Sequence, residues 1–204
     1  MKMKRIVCLL GLVLVFGLTA SAQDVPKAEG FLGYSYVRVN PGQGLSGVNL
    51  NGGSGQISFN ATNNFGIVAD FGGYRVKDTL TTPLGPVSVG GNVFTYLFGP
   101  RFTYRGERVQ PFVQALFGGA RASASALGAS ASENAFAMAL GGGVDVKLND
   151  WFAVRPVQVD YLLTRFDESP ICIAIFPPPP GCTGTTTQNN FRYSAGVVFR
   201  FGKR

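Results

Sequence analysis

Residues 191–201 read FRYSAGVVFRF, and the parity of this run decides how the rest of the chain is read. Phe191, Tyr193, Ala195, Val197, Phe199 and Phe201 alternate with Arg192, Ser194, Gly196, Val198 and Arg200. Successive side chains of an extended strand point to opposite faces, so a period of two places the aromatic and aliphatic groups on one face and polar or small groups on the other.

Seven earlier segments carry the same period. They are Phe31–Val39, Gly55–Thr62, Phe65–Tyr74, Val93–Tyr104, Val109–Ala120, Ala135–Leu148 and Trp151–Arg165. The fourth sets Phe94, Tyr96, Phe98, Phe102 and Tyr104 against Thr95, Arg101 and Thr103. The seventh breaks parity: if Gln158 and Asp160 share the polar face, Arg155 falls on the apolar one. Either Arg155 sits at an interfacial rim or a β-bulge changes the phase there.

The connections alternate in length. Asn63-Asn64, Arg105–Arg108 and Asn149-Asp150 form tight turns of residues suited to them, whereas Asn40–Ser54, Arg75–Asn92, Arg121–Asn134 and Phe166–Asn190 are expected to be long loops. Eight strands with short turns at one end and long loops at the other predict an all-β fold, an eight-stranded antiparallel up-and-down transmembrane β-barrel. A soluble sandwich shows the same alternation. Export, the aromatic character of the apolar positions, the alternating connections and the ending of the last strand favour lipid as the outer solvent. A closed sheet also leaves no backbone group unpaired there.

Export is read from residues 1–22. Lys2, Lys4 and Arg5 precede an apolar run from Ile6 to Leu18, and Ala20-Ser21-Ala22 supplies a small-residue cleavage site. Removing this signal peptide leaves a mature chain of 23–204 with 15 basic and 11 acidic residues, a net +4. No basic cluster with interleaved aromatics remains, so nucleic acid is not an expected partner. Two cysteines stay, Cys172 and Cys182, and in an oxidising compartment they are expected to close a disulfide across a loop.

Histidine is absent and only 14% of residues are charged, against about a quarter in ordinary soluble proteins. The missing imidazole removes His-dependent nucleophile systems and most zinc or haem ligation. No catalytic, cofactor or metal residue is assigned and no cofactor is expected. The pair Asp78 and Ser88 reads as solvated loop residues. Gly72-Gly73, Gly118-Gly119 and Gly141–Gly143 lack the Lys-Ser/Thr and helix of a phosphate loop and read as close strand packing. The polar parity of the strands assigns Asp70, Arg101, Gln114, Asp145, Asp160, Arg192 and Arg200 to the interior, as a network of ion pairs and hydrogen bonds that fills a narrow lumen.

The run Ser194–Phe201 is similar to the signal read by bacterial barrel-assembly machinery: a polar residue, a glycine, an apolar residue and a terminal aromatic, met here by Ser194, Gly196, Phe199 and Phe201. It departs from the pattern in the three residues, Gly202-Lys203-Arg204, that follow the aromatic. The stretches FGIVADFGGY (65–74), YLFGPRFTYR (96–105), PFVQALFGGA (111–120), AFAMALGGGVDVKLND (135–150), VRPVQVDYLLTRF (154–166) and FRYSAGVVFRFG (191–202) resemble small bacterial outer-membrane barrels of the OmpA-like transmembrane class. The resemblance covers the mature chain and implies a barrel without the peptidoglycan-binding domain. It implies a bacterial outer-membrane location in the broad porin family, with lipid around the barrel and the assembly machinery as a partner in biogenesis.

The expected function is a structural or surface-interaction role. The stiff 166–190 segment, with Ile171, Ile173, Ile175, Phe176 and the prolines 177–180, is a candidate outer contact. A narrow passive channel or hydrophobic-solute conduit is the alternative, and a secreted soluble ligand-binding barrel is a third reading. Lipid A deacylases and outer-membrane aspartyl proteases share the setting but depend on histidine.

Overall fold

The computed structural model describes residues 25–39, 48–82, 85–126, 129–166 and 186–203. Among these residues the chain forms strands and tight turns, with no helix. Its strands are β1 (Pro26–Val39), β2 (Val48–Asn60), β3 (Phe65–Thr82), β4 (Gly85–Thr103), β5 (Val109–Ala126), β6 (Ala129–Lys147), β7 (Phe152–Phe166) and β8 (Thr186–Lys203). Each pairs antiparallel with its neighbours in sequence, and β1 pairs with β8 from Pro26↔Lys203 to Arg38↔Phe191, which closes the barrel.

The tight turns follow from local side-chain chemistry. At the β2–β3 turn the amides of Ala61 and Thr62 donate to the Phe65 carbonyl at 2.9 and 3.0 Å, and the Thr62 hydroxyl accepts from the Phe65 amide. At the β6–β7 turn the Asn149 side-chain oxygen accepts from the Trp151 amide at 3.1 Å, an Asx turn, and places Trp151 just before the strand rather than in it.

Two of the four expected long loops are strand instead. β3 runs on to Thr82, paired with Gly85, and β5 runs on to Ala126, paired with Ala129. The sequences TLTT (79–82), PVSV (86–89) and ASASA (122–126) carry small or β-branched residues and lack the large aromatics of the earlier strand segments, so their strand character is not marked by a strong apolar face. The other two expected loops are trimmed at their ends, since β2 begins at Val48 and β8 at Thr186. Residues 1–22 and the Cys172 and Cys182 pair lie outside the described residues.

Burial is inverted relative to a water-soluble protein. Phe59 is 63% exposed and Phe201 60%, and the same outer face carries Leu32, Ile67, Phe98, Val113, Phe136 and Tyr193, all exposed. The inward face holds buried Asp70, Arg101, Gln114, Asp145, Asp160 and Arg192. Outward aromatics run along the whole apolar band, Phe71, Phe98 and Phe117 included. Along β8, Phe191 and Phe201 are ten residues apart, which at about 3.3 Å per residue and a tilt near 40° separates them by about 25 Å, the height of a lipid-facing band.

Candidate functional site: the polar barrel interior

The interior is built by parity, one inward side chain every second residue, from all eight strands. Its centre is two guanidiniums that are completely buried, Arg155 and Arg192. Arg192 grips Asp70 in a fork, Nη1 to Oδ1 at 2.7 Å and Nη2 to Oδ2 at 3.0 Å, and also donates from Nε to Asp160 Oδ2 at 3.0 Å. Nη1 further donates to the Tyr74 hydroxyl at 3.3 Å. The planar fork matches a carboxylate at two points, so Asp70 on β3 and Asp160 on β7 are tied across the barrel through one β8 side chain.

Arg155 makes the equivalent fork to Asp145, 2.6 Å from Nε and 2.9 Å from Nη2. Its remaining nitrogen, Nη1, donates to Gln56 Oε1 at 2.6 Å and Gln158 Oε1 at 2.7 Å. The centroids of the Phe31 and Phe112 rings lie 4.4 and 4.3 Å from its central guanidinium carbon, within cation–π range.

Amides join the two clusters. Gln56 Nε2 donates to Asp70 at 2.6 Å while its oxygen also accepts from Arg101. Gln114 accepts from Arg101 Nη2 at 2.7 Å and donates to Asp160 Oδ1 at 3.0 Å, and Gln158 donates to Asp160 Oδ2 at 2.7 Å. Arg101 therefore contacts amides and the Phe112 face, with no carboxylate within ion-pair distance among the described residues.

Nearer the tight turns a second layer surrounds Glu29. Arg105 donates to it at 2.7 Å, Arg200 Nε lies 3.6 Å away, and Gln110 accepts from both arginines. Beside the central layer, from Val68 and Leu97 at its own level up towards the long connections, Leu116, Ala137, Ala139 and Leu162 pack into an apolar cluster with Val37, Leu50 and Tyr74. Ser35 bridges Ser54 and Ser194 at 2.6 and 2.7 Å on the adjoining wall. Side chains fill the interior at each of these levels.

The seven residues assigned by parity, Asp70, Arg101, Gln114, Asp145, Asp160, Arg192 and Arg200, are all buried inside the barrel. Sequence reasoning missed Glu29, Gln56, Arg105, Gln110 and Gln158, and left Arg155 between two positions. Gln56 and Gln158 have the inward parity that places Gln114, so their strand position is the signal that finds them. Glu29 precedes the start assigned to the first strand, and Arg105 belongs to a turn. Arg155 is the bulge case: on β7 Arg155 pairs with Gly196 and Gln158 with Ser194, three residues against two, and β6 sees the same extra residue between Val144 and Val146. That residue carries Arg155 back to the inner face, and Pro156, which has no amide hydrogen to give a ladder, lies within the irregular stretch.

Small inward residues make this packing possible. A Cβ on Gly141 would stand 2.4 Å from Asp160 Oδ1. At the β1–β8 seam a Cβ on Gly196 would stand 2.2 Å from the Leu32 carbonyl oxygen, so only glycine permits the closing strand to lie this close. Of the other residues matching the assembly signal, Ser194 is buried in the serine bridge, Phe199 stacks at 5.6 Å on Phe152, and Phe201 is exposed on the outer face.

A closed eight-stranded barrel with an apolar exterior and a filled polar interior is the architecture of the small outer-membrane barrels. No protein-family model matches the chain, and no curated protein matches it by sequence. Solved structures do: Ail, the attachment invasion locus protein of Yersinia pestis, superposes with a TM-score of 0.54 at 17% identity over 86% of this chain and 99% of that one. Neisserial surface protein A superposes at 0.58 with 11% identity over 86% and 97%. A second structure of Ail holds the heparin analogue sucrose octasulfate, and superposes at 0.54 with 16% identity over 86% and 99%. At these identities the likeness is one of fold.

Proposed function

We propose that the chain is an integral barrel of the bacterial outer membrane with a structural or surface-interaction role, its tight turns on the periplasmic side and its longer connections outside. The inverted burial carries this reading, because so continuous an apolar exterior has a stable solvent only in lipid. The filled interior supports a closed barrel over the conduit alternative, and its charged network argues against a soluble barrel that holds an apolar ligand. The fit of Gly196 against β1 supports Ser194–Phe201 as the segment read during assembly. Contact with an outside partner is assigned to the 166–190 segment on its sequence, and the likeness to an attachment invasion locus protein makes attachment a natural role to test first.

Detergent-extracted outer membranes, run on a gel with and without boiling, are expected to show two mobilities for the chain. A species found soluble in the periplasm would sink the central claim. Deleting 170–183 should leave that mobility shift intact and abolish adhesion; unchanged adhesion removes the role given to the segment.

A further inference from the structure

Four arginines on the outer face remain unused by the interior network. Arg38 on β1, Arg75 on β3, Arg121 on β5 and Arg165 on β7 are all exposed, and each follows or precedes a buried inward residue: Val37, Tyr74, Ala120 and Thr164. One arginine therefore projects outward from each ascending strand, near the end that leads to the longer connections.

The register sets all four at one height. On β2 the partners of Arg38 and Arg75 are Asn49 and Asn51, two residues apart. On β4 the partners of Arg75 and Arg121 are Asn92 and Phe94, and on β6 those of Arg121 and Arg165 are Asn134 and Phe136, two apart in each case. On β8 the partners of Arg165 and Arg38 are Thr187 and Phe191, four apart. Every offset has the same sense, towards the tight turns, as the stagger of a tilted, closed sheet demands for points on one level ring.

The ring lies at the edge of the apolar band. Phe191, Phe94 and Phe136, the cross-strand neighbours of Arg38, Arg121 and Arg165, are exposed outward aromatics, the group that marks a lipid–water interface. Asn49, Asn51, Asn92 and Asn134 are exposed beside the arginines and add amide donors. Arg38 donates to Asn49 at 2.5 Å and Arg121 to Ser132 at 3.2 Å, and none of the four forms an ion pair among the described residues. The opposite end differs: Glu107 and Arg108 are both exposed there, and Lys147 pairs with Asp150 at 2.8 Å, so the signs are mixed.

We infer that this ring binds the phosphate groups of anionic lipids in the leaflet around the longer connections, each guanidinium forking onto phosphate oxygens while the neighbouring phenylalanine packs on the acyl chain. Four guanidiniums at headgroup depth and at one level, with no ion pair among the described residues, match a circumferential layer of lipid phosphate better than a soluble partner approaching from above. The inference rests on the membrane placement proposed above, which the gel-mobility experiment tests separately.

The test is native mass spectrometry of the folded barrel, released from zwitterionic micelles holding diphosphoryl lipid A or its dephosphorylated form. The wild type should retain the phosphorylated lipid, with retention falling as salt is raised. Replacing all four arginines together by glutamine (R38Q, R75Q, R121Q and R165Q) should reduce retention by at least about tenfold, whereas the fourfold lysine variant keeps most of it and Arg108→Gln changes nothing. Equal retention of the dephosphorylated lipid, salt-independent retention, or an unchanged glutamine variant would overturn the inference. So would lipid retention that survives in a glutamine variant that has lost binding of a soluble sulfated oligosaccharide. Should the glutamine variant fail the mobility shift, the salt and dephosphorylation arms on the wild type decide alone.

Discussion

Arg192 shows how little freedom a buried charge has inside so narrow a barrel. It has given up all contact with solvent and holds two carboxylates and a tyrosine hydroxyl in return, so removing Asp70 leaves two buried guanidinium donors without an acceptor. Asp70→Ala should cost about 3–5 kcal/mol of unfolding free energy, measured by urea titration of the lipid-reconstituted protein. Combining it with Arg192→Met should cost clearly less than the two single changes added together, because both remove the same pair, although Asp160 then keeps only its amide donors. An additive double mutant would show that the two groups do not act as a pair. Parity alone placed both residues inside, since Arg192 and Asp70 each sit between outward apolar neighbours. Their mutual contact was not legible, because it joins residues 122 apart in sequence across the barrel axis.

Among the elements, β7 is where local pattern and global closure disagree. Strict alternation would put Arg155 in lipid, at a cost of about 2–4 kcal/mol near the bilayer midplane. The bulge avoids that cost with one extra residue between Arg155 and Gln158. Deleting Val157 should make the strand regular while Arg155, Gln158 and Asp160 stay inside, and the variant should retain heat-modifiable mobility. Deleting Val159 instead, in the regular part of the strand, should turn Gln158 towards lipid and impair assembly; equal behaviour of the two deletions would refute the bulge as the phase-setting feature. The proline and the parity break were visible beforehand, as two possibilities. Choosing between them required Asp145, the carboxylate on the neighbouring strand that rewards the inward position.

At the scale of the molecule, polar and apolar clusters together fill the interior. The cluster of Leu97, Leu116 and Leu162 packs beside the charged centre and Val37, Leu50 and Tyr74 extend it towards the long connections, so removing charges does not by itself open a path. Arg101→Leu or Asp145→Leu should therefore lower the unfolding temperature and leave planar-bilayer conductance near zero. Regular single-channel steps from the wild type would contradict a closed lumen. The low charge content and abundant phenylalanine of the chain express the same division, because the exterior meets lipid and the few charges that remain are concentrated within or at the rim.

The sequence by itself determined the strand number, the antiparallel order, which face of most strands is apolar and which charged residues face inward, because each depends on a period of two or on short turns that are local properties of the chain. Tertiary structure alone decided how far the hairpins of β3–β4 and β5–β6 extend, where the β7 bulge falls, which inward groups pair, and that four distant arginines share one level. Those outcomes depend on closure: the stagger of the sheet fixes which residues meet across the barrel and which stand at equal height, and no local stretch of sequence contains that information.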